Sequence, residues 1–284
     1  MFALPLAYFV IFRYGAILWL AIAFKKFNPV AGLWGSNWIG FVHFQNFLSD
    51  AYFWKLIRNT LMINIEMLIF YFPLPIILAL MINDVRSKVY RKAVQTISYL
   101  PHFLSTVVVA GLVVSYTASD GMINDFVYAI TGNRISFLTT PGWFRPIYII
   151  SEGWQSAGWA SIIYLAALSN IDVEMYEAAV IDGATRLRQM WHISLPGVAP
   201  VISIQLLLTL GRFLSVGYEK ILLLYNGSVY ETADVISTYL YRRGIMSADY
   251  SYGAAVSLFQ AVFSLVLIVS ANYASRKIGQ TSLW

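Results

Sequence analysis

Six runs of about 20 mostly apolar residues constrain this chain more than any other feature, because a helix needs about that length to cross a bilayer core. They are residues 1–24, interrupted only by Arg13, and about 60–81, 93–116, 147–168, 198–216 and 253–273. The fold class they predict is an all-α polytopic membrane protein with six transmembrane helices in one domain over residues 1–284. Charge agrees: 12% of residues are charged, about half the share of a soluble domain. That excludes a disordered chain, a nucleic-acid binder and an ordinary cytosolic enzyme. A β-barrel would alternate over ten-residue segments, and no such pattern is present. Pro73, Pro75 and Pro101 fall inside the second and third runs, where neighbouring helices can satisfy the backbone groups they free.

The first run has a second reading. Ala21-Ile22-Ala23 resembles a signal-peptidase site, but no positive charge precedes the run, so it is read as a helix. Cysteine is absent, which excludes disulfides, structural zinc and a thiol nucleophile. With six spans and both termini inside, the inner loops carry eight Lys and Arg against nine outside. Only the density of Arg86, Lys88, Arg91 and Lys92 next to two span ends favours this orientation.

The stretch after the fourth run is different. Asp172 is placed to cap a helix and Glu174 suits its N-terminal dipole. Gly183 can end that helix, and Ala184 to His192 can form a second one before Leu195-Pro196. Ala178, Ala179, Gly183 and Ala184 are small enough for another backbone to approach, with Glu177, Arg186 and Arg188 at the rim. A solvated connector between two spans fits the same residues.

Glu177-Ala178-Ala179, three residues, Gly183, nine residues and Ile193-x-Leu195-Pro196 resemble the EAA loop of binding-protein-dependent ABC importer permeases. The likeness extends to Phe72-Pro-Leu-Pro75, Gln95 to Phe103, Leu222 to Asn226, Tyr230 to Ile236 and Thr238 to Ile245, which are similar to polysaccharide-type, maltose-permease-like sugar permeases. It implies that residues of about 170–197 form cytoplasmic coupling helices, with Glu177, Ala178, Ala179, Asp182, Gly183, Ala184, Arg186, Ile193, Leu195 and Pro196 as the element that docks on an ATPase. Met190 departs from the bulky aromatic of many relatives. The resemblance further implies a second homologous permease subunit, two ATP-binding subunits that hold ATP and magnesium, and an extracytoplasmic solute-binding protein. It places the chain in a bacterial cell membrane, multi-pass, with both termini cytoplasmic, moving oligosaccharides by alternating access.

Ionisable groups inside spans are functional suspects: here Arg13, Glu66, His102, Glu152 and Arg212. Helical spacing groups Glu152, Gln155 and Trp159 on one face, Gln205, Thr209 and Arg212 on a second, and Ser257, Gln260 and Ser264 on a third. With Trp154 and Tyr218, whose rings can stack on sugar C–H faces, they are candidates for a substrate path. Interhelical hydrogen bonding, including a Glu152–Arg212 pair, is the alternative. No phosphate-binding loop G-x-x-x-x-G-K-[ST], metal cluster or nucleophile elbow appears, so neither catalysis nor a cofactor is assigned to this chain. An importer of a peptide or lipid precursor remains a rival. So does an ion-coupled carrier, although the paired half-repeats expected of one are not visible.

Overall fold

The computed structural model describes residues 2–215 and 217–277. Its main helices are α1 (Leu4–Phe24), α2 (Phe53–Asp84), α3 (Lys88–Tyr99), α4 (Thr106–Thr117), α5 (Met122–Thr131), α6 (Pro141–Leu168), α7 (Val173–Ile181), α8 (Arg186–Leu210), α9 (Tyr218–Leu224) and α10 (Tyr250–Lys277), and the longer connections 25–52 and 225–249 carry shorter helical segments, among them Val42–Leu48 and Ile236–Leu240. Two-residue strands, β1 (Lys25–Lys26) and β2 (Asn37–Trp38), pair antiparallel after α1. Among the described residues, five helical stretches are long and apolar enough to cross a membrane: α1, α2, Thr106–Thr131, α8 and α10.

The fourth expected run lies in α6, which is 28 residues long but too polar to join those five. Its position explains this. Helix α6 is packed by α2, α3, α4, α8 and α9, so much of its surface meets protein. Its buried face carries small and polar residues, Ser151, Gly153, Gln155, Ala157, Gly158 and Ser161. Gly153, Ala157 and Ser161 recur every four residues, a spacing that lets helices approach closely. A Cβ on Gly158 would sit 1.9 Å from the Ser98 carbonyl oxygen of α3.

Three expected boundaries are corrected. The run 93–116 is not one helix: α3 passes into a turn at Leu100–Phe103, Leu104 is extended, and Ser105 caps α4 through a bond from the Val108 amide. Pro101 has no amide hydrogen to donate back along α3, and the chain tightens there into the turn. The loop helix expected to stop before Leu195-Pro196 instead continues through both residues into α8, by a wide π turn at Met190–Ser194. A similar turn at Met67–Tyr71 precedes Pro73 and Pro75 in α2; such turns absorb the proline's missing bond. The run 198–216 ends early, at Leu210, and its last residue, Val216, lies outside the described residues.

Direction follows from the connections. Helices α2, α6 and α10 all run toward the end of the bundle that carries α7. At that end Arg186 joins Asp84 and Arg91 donates to the Asn83 and Val85 carbonyls at the close of α2. Helix α1 has almost its whole surface exposed, and only its last turn packs on α10.

Candidate functional site

Two places in this bundle carry chemistry, and they are built differently.

The first is the loop between α6 and α8. The Asp172 carboxylate accepts from the Glu174 amide at 3.0 Å and starts α7. The helix ends at Gly183, whose φ of +73° is the left-handed conformation that glycine adopts without penalty. The Ala184 amide then reaches back to the Ala179 carbonyl at 2.8 Å and the Gly183 amide to that of Val180 at 3.0 Å, the paired closure of a Schellman cap. Thr185 caps α8. The loop also has tertiary anchors: Tyr176 shares a 2.9 Å hydrogen bond with Ser194, and Arg186 donates to the Asp84 carboxylate at 2.6 Å.

Glu177, Ala178, Asp182, Gly183, Arg186 and Pro196 are exposed, while Ala179, Ala184, Ile193 and Leu195 are partly buried. Arg186 thus spends its charge within the chain rather than standing free at the rim. Around these positions Val173, Val180, Ile181, Leu187 and Trp191 all project into the open, Ile181 with 86% of its surface exposed. A cavity of about 830 Å³ lies beneath, between the α2 terminus and the loop.

The second place is a cavity of about 610 Å³ bounded by α2, α6, the start of α4 and the segment entering α9. Glu152 lies on its wall and accepts from Lys220 Nζ at 2.8 Å and from Ser156 Oγ at 3.1 Å. Lys220 is buried, so its ammonium needs this partner to offset lost hydration. Gln155 donates to the Leu104 carbonyl at 3.2 Å, satisfying a group that the break after Pro101 leaves without a helical partner. His102 also lines the cavity and stacks on Trp159, with ring centroids 4.8 Å apart and planes 3° from parallel.

Of the expected path residues, Glu152, Gln155 and Tyr218 meet at this cavity. Trp159 and Gln205 line a neighbouring one of about 510 Å³. Trp154 belongs to a different, apolar groove with Trp143, Ile147 and Ile150. Thr209 is exposed and bonds its own helix at the Gln205 carbonyl. Arg212 is exposed in the turn beyond α8, so it neither extends the α8 stripe nor pairs with Glu152. Gln260 is buried and donates to the Leu214 carbonyl at 2.9 Å, tying α10 to the turn after α8, away from the cavity. Sequence reasoning missed Lys220, Asn64, Thr106, Tyr148 and Glu219. Lys220 sits after the fifth apolar run, and nothing local signals that its segment folds back against α6.

Beyond the cavity, at the end of the bundle where α2 and α6 begin, a polar cluster fastens the 225–242 segment. Asp234 takes two bonds from Arg242 at 2.8 and 2.7 Å and one from Thr238 at 2.7 Å. These contacts, Asp234 first, raise the Arg242 pKa above its ordinary value. Asn59 donates to the Glu231 and Asp234 carbonyls and accepts from Arg145, which also meets Glu66 at 3.3 Å.

Comparison with known proteins accords with this architecture. The family model described as "Binding-protein-dependent transport system inner membrane component" matches residues 71–280. Protein LplB of Bacillus subtilis (strain 168) is 44% identical over 280 residues, 98% of this chain and 88% of the relative. The polygalacturonan/rhamnogalacturonan transport system permease protein YteP of the same organism is 41% identical, covering 98% and 87%. A chain of a bacterial ABC transporter that imports the acidic polysaccharide alginate superposes with a TM-score of 0.91 at 47% identity, covering 99% of this chain and 95% of that one. A chain of a bacterial alginate ABC transporter complexed with its alginate pentasaccharide-bound periplasmic protein gives 0.92 at 46% identity, covering 100% and 95%. The chain belongs to the family of binding-protein-dependent transport system inner membrane components.

Proposed function

We propose that this chain is the transmembrane permease subunit of an ATP-driven importer of oligosaccharides, a single domain in a bacterial cell membrane. The observation that carries this reading is the loop of α7, Gly183 and the start of α8: a rigidly capped elbow with small residues and unpartnered apolar side chains on its outer face. Burying even two of those side chains would contribute on the order of 3–6 kcal/mol, enough to couple the loop to a partner's motion. An ATPase subunit, which would hold ATP and magnesium, is the partner the family implies, with one docked on each permease of a pair.

In this reading α6 is the sixth span, screened from lipid by its neighbours, and the loop faces the cytoplasm, as do both termini. An extracytoplasmic binding protein delivers the sugar to the opposite face. ATP binding closes the ATPases, the loops move with them, and the bundle shifts between two packings. The chain itself performs no chemical step. The sugar class rests on the carbohydrate relatives and on the hydroxyl-matching, aromatic-edged cavity at Glu152.

Charge reversal at Glu177 and a new carboxylate on the exposed elbow at Gly183 test the loop directly. Glu177→Lys and Gly183→Asp are each expected to abolish uptake and sugar-stimulated ATP hydrolysis in the reconstituted complex while membrane insertion stays normal. Coupled transport by both variants at the unmodified rate would overturn the assignment.

A further inference from the structure

An oligosaccharide presents hydroxyls, which ask for neutral donors and acceptors; an acidic one also presents carboxylates, which ask for cations free to pair. The cavity at Glu152 offers the first in Asn64, Thr106, Gln155 and Tyr218. It does not offer the second. Among the described residues that line it, Lys220 is the one ammonium, and Glu152 already holds it at 2.8 Å. Ser156 fixes the other carboxylate oxygen of Glu152, so that group is held in place from two sides. Glu219, exposed on the same wall, adds a second carboxylate. A sugar carboxylate drawn to Lys220 would therefore arrive beside Glu152, in surroundings where like charges repel more strongly than in water.

We propose that Glu152, by occupying Lys220, is a specificity-determining residue that fits this chain's share of the passage to uncharged sugar units and excludes uronates. The inference rests on the permease reading given above. The relatives and structures whose names refer to polygalacturonan and alginate set the acidic alternative against which the proposal is tested.

The absence of cysteine allows a test that needs no knowledge of the natural sugar. Thr106→Cys places one thiol on the cavity wall of the assembled complex. It is labelled with the anionic sulfonatoethyl or the cationic trimethylammonioethyl methanethiosulfonate, and modification is read by mass on this chain alone. Relative to free cysteine, the anion is expected to react more slowly than the cation. Adding Glu152→Gln is expected to raise the anion-to-cation ratio about tenfold, the change that corresponds to about 1.4 kcal/mol. A change below about twofold, which is within the spread of weak exposed charge effects, would overturn the proposal.

A second arm uses the complex in proteoliposomes, with trigalacturonate and its uncharged methyl ester. Glu152→Gln is expected to shift relative uptake toward the acid. Equal uptake of both compounds by the unmodified complex would overturn the proposal. Failure of every oligosaccharide in a pectin digest to enter with ATP would instead overturn the permease reading, and the labelling ratio would still judge the Glu152–Lys220 pair.

Discussion

The loop at Gly183 and the cavity at Glu152 lie on the same chain, joined by α6, yet they arise from opposite kinds of information. Most of the loop is set by short-range bonds, from the Asp172 cap to the Gly183 closure and the Thr185 cap. The cavity unites Asn64, His102, Glu152 and Lys220, residues up to 156 positions apart. A local motif can therefore be read in order along the chain, whereas a long-range site needs the helices to be in place first. The two also differ in what they expose: the loop presents apolar side chains outward, and the cavity turns polar ones inward.

The largest expected effect comes from separating the helices that build the cavity. Gly158→Val would drive side-chain carbon into the Ser98 carbonyl and push α3 from α6. Overpacking of this kind costs about 1–3 kcal/mol or more, so loss of folded, assembled protein is expected in detergent extracts, with the loop motif itself unchanged in sequence. A Gly158→Val protein as heat-stable as the parent would show that the close approach is dispensable.

Next is the ion pair. Lys220→Met leaves the Glu152 carboxylate, whose side chain is 26% exposed, without its cation. An orphaned, partly buried group of this sort costs about 1–3 kcal/mol. Pairing it with Glu152→Gln is expected to recover most of the lost thermal midpoint, because no charge is then stranded. Additive losses in the double variant would mean that the two side chains act independently.

The loop should respond more gently to backbone changes. Gly183→Ala forces a Cβ into the left-handed region at a cost of about 1–2 kcal/mol, while Gly183→Asn, which tolerates that region, should cost less. Uptake rates ranked glycine, asparagine, alanine would tie coupling to the elbow's geometry. Smallest of all is Arg186→Ala. Both members of the Arg186–Asp84 pair are about half exposed, and such pairs contribute about 0–1 kcal/mol. Its removal should barely move the thermal midpoint, so a strong transport defect would locate the effect at a partner's surface.

Much of the bundle was legible because bilayer-length apolar runs and helix caps are local signals. The Asp172 cap and the Gly183 terminus lie where the spacing placed them. The break at Pro101 was missed because a proline inside an apolar run reads equally as a tolerated kink. Here Leu104 goes extended and Ser105 starts a new helix, a choice supported by Gln155 from α6. Arg212 was misplaced for a related reason: a seven-residue spacing has meaning only while the helix continues, and α8 ends at Leu210.

The sequence by itself determined that this chain is a helical membrane protein with one capped, small-residue elbow between two long helices, since hydropathy and capping act over neighbouring residues. Only the tertiary structure decided which of the sparse charges meet. Lys220 rather than Arg212 neutralises Glu152, because a partly buried carboxylate pairs with whichever cation the packing of α6 against α9 brings within reach. The polarity of α6, which argues against a span when read alone, is explained by the helices that surround it.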